Sequence, residues 1–391
     1  PPVTGVAGTI ALSDSAIRFD VKSGGLGDIA VTNAAITLSN LDQPTNHRAS
    51  IDVTANGPLT SKLKLLEHPN VGLQRELAIK HDRVSGQAAT RVLLELPLVD
   101  TLTVTQIEYA ASATATGLSI KDVAANVDLT DASLTMQLNG REMDIRGKGR
   151  IAGQPADLVW RENFGRAAFR RRFEVKTAID AAELARMAGT ALPQIKGPVG
   201  IQAIMNEATA GTGTVNAVLD LKNTAIEVPE LGWRKEAGRD AGGRVAFALR
   251  NGKAGERIEI DLAASDLQTQ AVIQMSGENI QRTEFNRLVF GRNNLRGSVV
   301  RTGDGYAVTL AGPSFDLAPY LGDDVSPSAE PAPDAPAKPL SGPVYDVTLD
   351  LQQVLTKRGR LDGASGRLRV QGGRVLSADV SGRVGQQTMV R

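Results

Sequence analysis

Apolar and polar residues alternate along most of this chain. Ile17, Phe19 and Val21 alternate with Arg18 and Asp20, and Leu134, Met136 and Leu138 with Thr135, Gln137 and Asn139. The same period of two runs through Val245, Phe247 and Leu249, and through Ile258, Ile260 and Leu262 against Glu259 and Asp261. It returns in Tyr306, Val308 and Leu310 and in Val347, Leu349 and Leu351. Successive side chains of a strand point to opposite faces, so this pattern predicts strands with one apolar and one polar face. Turn formers separate the runs: Ser23-Gly24-Gly25, Asn139-Gly140, Asn251-Gly252, Gly303-Asp304-Gly305 and Gly372-Gly373. Asn-Gly and Asp-Gly between alternating runs favour tight hairpins. The predicted fold is mainly β, a long twisted antiparallel sheet.

Helical patterns are few. Residues 58–67 place Leu59, Leu63 and Leu66 on one face, with Pro69 beyond. Residues 180–188 open with Asp180-Ala-Ala-Glu183, similar to a capping box, continue through Leu184 and Met187, and stop at Gly189. Asp350 to Lys357 predicts one or two further turns before Gly359. None is long enough to cover a sheet of this size. Its apolar face must close on itself, meet a second layer or stay open. Two stretches share an order of strand, short helix and strand. Val175 to Leu184 leads to Gly197-Pro198-Val199, and Val308 to Leu317 leads to Gly342-Pro343-Val344. Either the unit repeats, or Gly-Pro-Val recurs by chance in a chain rich in Gly and Val. Ser326 to Pro343, rich in Pro and Ala, reads as a solvated loop. The chain therefore divides into a repeating β segment at 1–325, a loop at 326–343 and a continuation of the sheet at 344–391. It begins Pro-Pro-Val, and its last strand-like run, Leu376 to Arg391, stops without a closing signal. Both ends read as cuts in a longer polypeptide.

Composition narrows the chemistry. Lys and Arg total 44 against 43 Asp and Glu, a balance that argues against nucleic acid as partner. The 391 residues include no Cys, which excludes disulfides, thiolate metal sites and Cys nucleophiles. No run of about 18 apolar residues is present to span a membrane as a helix. His47, His68 and His81 lack metal-ligand spacing. Gly211-Thr-Gly213-Thr lacks the third glycine of a dinucleotide fingerprint and leads into a strand, and neither a P-loop nor a Gly-x-Ser-x-Gly elbow occurs. No catalytic residue, metal site or cofactor is predicted. Arg170, Arg171 and Arg172 form the densest basic run. It reads either as a headgroup contact or as an edge strand whose charge deters aggregation.

Three segments carry a family resemblance. Pro58-Leu-Thr-Ser-Lys-Leu-Lys-Leu-Leu-Glu-His-Pro69 is followed by Gly86 and Val92-Leu-Leu-Glu-Leu-Pro97-Leu. Asn286-Arg-Leu-Val-Phe-Gly-Arg-Asn-Asn-Leu-Arg-Gly297 precedes Tyr306-Ala-Val-Thr-Leu-Ala-Gly312 and Phe315-Asp-Leu, and the third segment runs from Leu361-Asp-Gly363 to Val384. Together they resemble the AsmA-like superfamily of bacterial envelope proteins, particularly its YhdP- and TamB-type members. The resemblance implies a repeating β-groove, curled and open, in a periplasmic protein anchored in the inner membrane of a Gram-negative bacterium. It also implies non-enzymatic transport of phospholipid between the inner and outer membranes, the last segment starting the AsmA-like C-terminal region. The alternative is a β-rich scaffold for outer-membrane protein biogenesis, with envelope proteins as partners. As apolar lining of the groove we expect Phe19, Leu134, Met136, Leu138, Leu219, Phe247, Ile260, Met275, Val308 and Leu349, unless these fill an ordinary sandwich core.

Overall fold

The computed structural model describes residues 2–67, 80–124, 127–189, 191–251, 253–277, 279–303, 305–318, 342–357, 359–372, 374–384 and 388–390. Strands account for 74% and helices for 7%. The chain divides into two compact units, Pro1–Ile179 with Ile201–Gly213, and Asp180–Gly200 with Thr214–Arg391. In each, the strands form a curved, predominantly antiparallel sheet that does not close into a barrel.

The first unit is a meander. Its strands are β1 (Val3–Leu12), β2 (Ala16–Leu26), β3 (Ile29–Ser39), β4 (Arg48–Pro58), β5 (Val84–Pro97), β6 (Glu108–Ala124), β7 (Val127–Asn139), β8 (Glu142–Ile151), β9 (Gln154–Asn163) and β10 (Arg171–Asp180). Each pairs antiparallel with the next. Directly opposed residues share a face. One such row reads Val21, Ala34, Val53, Val92, Ala111, Leu138 and Met143. A row on the other face reads Thr54, Arg91, Ser112, Gln137, Asp144, Arg161 and Arg172. The alternation in the sequence therefore becomes a sheet with one apolar and one charged side. Ion pairs tie the charged side across strands, Arg91 to Asp52 at 2.7 Å and Arg161 to Asp144 at 3.0 Å.

Helix α1 (Leu59–Leu66) lies over one end of the apolar side. Its Leu59 and Leu63 pack on Val84, Ala88, Ala115, Leu118, Ile120, Leu129 and Ala132. Ala115 and Leu118 are three positions apart, so strict alternation would put them on opposite faces. A bulge between them, with Gly117 at φ +57°, inserts the residue that restores the phase. Opposite this bulge, Gly86 adopts φ +123°, and a Cβ there would lie 2.9 Å from Gly117 O. Only glycine lets the two strands approach so closely.

The second unit begins with helix α2 (Ala181–Ala188) and β11 (Ile195–Lys196); β12 (Pro198–Thr209) and β13 (Thr212–Asp220) are divided between the units. Next come β14 (Ala225–Val228) and β15 (Trp233–Lys235); β14 pairs with both β11 and β15 in a small antiparallel sheet. The main sheet runs through β16 (Ala241–Arg250), β17 (Lys253–Ala264), β18 (Leu267–Ser276), β19 (Asn279–Phe290), β20 (Asn293–Thr302) and β21 (Gly305–Asp316). It continues with β22 (Val344–Leu355), β23 (Arg360–Gln371), β24 (Arg374–Val384) and β25 (Thr388–Val390). Phe247, Ile258, Ile273, Thr283, Val299, Val308, Val347 and Leu368 form one row of its apolar face. The small sheet covers one end of that face. Ile226, Val228, Leu231 and Trp233 pack there on Leu267, Leu288, Phe290, Leu295, Leu349, Leu351 and Ala364.

Helices α1 and α2 form where the sequence predicts them. Asp180 caps α2 by accepting from Ala182 N at 2.9 Å, and Gly189 ends it at φ +65°. The third predicted helix does not form. Asp350 to Leu355 belongs to β22, because Leu349 and Leu351 continue the alternation and strands on both sides satisfy the backbone. Ser23-Gly24-Gly25 is not a turn either; it lies inside β2, and the chain reverses at Gly27-Asp28. The meander also breaks once. β21 and β22 run parallel, from Gly305 opposite Val344 to Asp316 opposite Leu355. A parallel pair needs a return of about 35 Å here, at roughly 3.3 Å per residue. The Pro- and Ala-rich stretch 326–343 falls in that return, and all of it but Gly342 and Pro343 lies outside the described residues. At the other proposed copy of the repeat, Arg170 N donates to Glu207 O, which sets the start of β10 beside the end of β12 in an antiparallel sense. The two stretches therefore share an order of elements and differ in pairing.

Leu351 is 2% exposed beneath the small sheet, whereas Leu93, on the charged side of the first unit, is 40% exposed. Leu351→Ala should destabilise the protein by about 3 kcal/mol in urea unfolding, and Leu93→Ala by less than about 1 kcal/mol.

Candidate functional site

Both covers stop short of the apolar face they sit on. In the first unit, α1 reaches the row that holds Ala115, Leu134 and Leu158. The rows beyond it carry Met136 with Ala113 and Ile145, then Leu138 with Ala111 and Met143. Further along, Phe19 faces Ile10 and Ile36, in a row continued by Ile51, Leu94 and Tyr109. Phe19, Leu134, Met136 and Leu138 are all half-buried. Among the described residues, no second layer of the first unit lies upon this apolar wall.

The second unit repeats the arrangement. Phe247 and Val308 share a row, Ile260 lies in the next with Val245 and Ala271, and Met275 faces Ile280. Leu219 sits on the half-buried phase of β13. These five are half-buried, but Leu349 is 8% exposed and belongs to the covered core beneath Trp233. The expected lining residues thus share the apolar face of their unit, with Leu349 under the cover rather than on the open wall.

The three arginines do not make one patch. Arg172 points to the charged side and bonds Glu174 at 2.9 Å, and Arg170 is exposed. Arg171 turns to the apolar side, continuing the row of Leu138, Met143 and Glu162. Its Nε donates to Glu162 Oε1 at 2.5 Å and its Nη1 to Glu207 Oε2 at 3.3 Å. The Trp160 indole also donates to Glu162, at 3.2 Å, and the guanidinium lies 5.9 Å from the Trp160 ring centre. Glu162 and Glu207 are both buried. Two carboxylates and one guanidinium therefore form an ionic island on the greasy wall.

A second charge sits where α1 ends its cover. The Lys62 ammonium donates to Ala55 O at 2.7 Å and to Thr90 Oγ1 at 2.8 Å. Thr90 lies in the row of Ala113 and Met136, the first row beyond the residues under the helix. No carboxylate among the described residues pairs with Lys62, and burial lowers its pKa to about 8. Lys235 in the small sheet differs: its ammonium is buried and satisfied by the carbonyls of Lys222, Thr224 and Glu236 at 3.2, 2.7 and 3.2 Å.

Of the histidines, His81 accepts no free role. Its Nδ1 pairs with Glu67 at 2.5 Å while its backbone N–H, the larger influence, helps hold that carboxylate below its usual range. His47 bonds Gln43 O at 2.7 Å, and His68 lies outside the described residues. A shallow depression of about 550 Å³ bounded by Asp220, Lys222 and Asp240 is a rim feature, bridged by the Lys222–Asp240 pair at 2.9 Å. Comparison with family models, characterised proteins and solved structures returns no match.

The sequence reading missed Lys62, Glu162 and Glu207. Lys62 carried a signal: three residues after Leu59 and four before Leu66, it stands inside the apolar stripe of its helix. Glu162 and Glu207 carried none, because their meeting with Arg171 depends on long-range pairing.

Arg171→Met leaves two buried carboxylates without their cation and should destabilise the fold by about 3–5 kcal/mol in urea unfolding. Lys62 behaves in the opposite way. Below about pH 8 it is charged in folded and unfolded chains alike, and the burial penalty acts in full. Between there and the ordinary value of 10.5, only the unfolded chain keeps the proton, so stability rises with pH. Lys62→Met should therefore raise the melting temperature at pH 7 by about 2–4 °C, with the gain fading towards pH 10.

Proposed function

We propose that the open apolar walls hold acyl chains, and that this chain is a non-enzymatic segment of a phospholipid conduit. The carrying observation is the unequal pair of faces in each unit: one charged and ion-paired, the other apolar, in register across many strands and, among the described residues, covered only at one end. An uncovered apolar face of this extent favours a greasy guest. Each methylene moved from water onto such a wall contributes about 0.8 kcal/mol, so tails are held without specific contacts. Val, Ile, Leu, Ala and Met supply smooth walls, and aromatic residues are only 4% of the chain. Tails then meet few bulky obstacles as they slide. The resemblance to AsmA-like envelope proteins supplies the setting: the periplasm, between inner and outer membranes, with headgroups left in water at the open side.

Protein purified from bacterial membranes should carry phospholipid, detected by solvent extraction and mass spectrometry. Met136→Asp in the first unit and Phe247→Asp in the second should each lower the load several-fold. Thr135→Asp, on the charged face beside Arg146, should leave it unchanged. Folded Asp variants that keep the full load would sink the proposal.

A further inference from the structure

On the wall of the first unit, Lys62 is a cation that no carboxylate among the described residues neutralises. Arg171 is matched by two carboxylates, and Lys235, in the second unit, spends its three N–H groups on three carbonyls. Lys62 uses two of its three ammonium N–H groups, on Ala55 O and Thr90 Oγ1, both neutral acceptors. Acids of the neighbouring elements are engaged elsewhere: Asp52 binds Arg91 at 2.7 Å on the opposite face, Glu67 binds His81, and Asp28 accepts from Ser61 at 2.8 Å. Lys62 is half-buried, and withdrawing a cation from water without a counter-ion is unfavourable, which marks it as a place where an anionic ligand would be welcome. Its position is as telling as its charge. Lys62 stands at the line where α1 stops and the bare rows of Met136 and Leu138 begin.

We propose that Lys62 anchors the phosphate of a lipid headgroup while the acyl chain of that lipid lies along the open wall of the first unit. The helix then acts as an end stop: its leucines seal one end of the wall, and its lysine marks where a head must sit. A tail lying away from α1 meets Val92, Ala111 and Leu138, whereas a tail lying towards it meets the packed cluster. The lipid is thereby given an orientation as well as a place. This inference rests on the reading of the wall as an acyl surface.

Two probes that share a chain and differ only in the phosphate test it, 1-lauroyl-glycerol 3-phosphate and 1-lauroylglycerol, titrated below their micellar concentrations by calorimetry at pH 7. The full chain should bind the phosphate form about ten-fold more tightly, as expected for one charge-assisted contact. Lys62→Met should abolish that preference and leave the affinity for 1-lauroylglycerol within about two-fold, whereas Lys62→Arg should keep it. The rise in melting temperature of Lys62→Met verifies that the variant is folded. Equal affinity for both probes, unmoved by Lys62→Met, would overturn the anchor and leave the acyl wall standing. Failure of both probes to bind would remove the wall and the anchor together. If 10 mM inorganic phosphate displaces the phosphate probe completely, the site takes free phosphate and the lipid anchor is wrong; its failure to displace supports the anchor.

Discussion

Everything in this molecule follows from a shortage of cover. A strand with one apolar face must bury that face against something, and a sheet built from many such strands presents more of it than two eight-residue helices can hide. The chain answers locally. It sets α1 over one end of the first unit's wall and the small sheet of β11, β14 and β15 over one end of the second's. These are the places with buried leucines and tight packing. Elsewhere the same alternation yields half-buried residues with apolar neighbours on one side and, among the described residues, no second layer of their own unit on the other. Stability and function are thus divided along the length of the same strands.

Charge is distributed by the same logic. On the outward face it is plentiful and paired across neighbouring strands, where each exposed pair contributes little energy but keeps the surface wet. On the apolar face it is rare, and each instance is a distinct arrangement. The Arg171 island is closed, with its donors and acceptors turned on one another. Lys235 is closed as well, by backbone carbonyls. Lys62 is open. A low-dielectric wall magnifies the difference between a satisfied and an unsatisfied charge, so Arg171 and Lys62, both on the wall of the first unit, do not have interchangeable roles.

Much of this was legible in the residues. The alternation of Leu134, Met136 and Leu138 is a local property of β geometry, and it placed them on one face before any pairing was known. The hairpin at Asn139-Gly140 was equally local. What escaped is what depends on partners. Ser23-Gly24-Gly25 has the composition of a turn, yet pairing with Thr4, Ala7 and the Ala30–Val31 segment keeps it in the strand. Asp350 to Leu355 has a helical look that two flanking strands override. Leu349 looked like every other inward leucine, and only the small sheet, whose Trp233 lies far from it in sequence, set it apart. The Arg170–Arg172 run is divided for a simple reason: Arg171 and Arg172 are consecutive in β10 and so point to opposite faces.

The bulge at Gly117 shows how strictly length is controlled in such a chain. Side-chain direction in a strand is a parity, and one extra residue reverses the parity of everything after it. Between Ala115 and Leu118 that reversal is used to cancel another, so that Leu118 and Ile120 arrive on the same side as Ala115. Removing Gly117 alone would leave Ala115 and Leu118 two apart, so that plain alternation keeps both on one side without the bulge, whereas removing one residue elsewhere in β6 would exchange inside for outside along the rest of the strand. Sequence length within these strands is therefore quantised in pairs, with glycine-marked bulges as the sites where an odd count is absorbed.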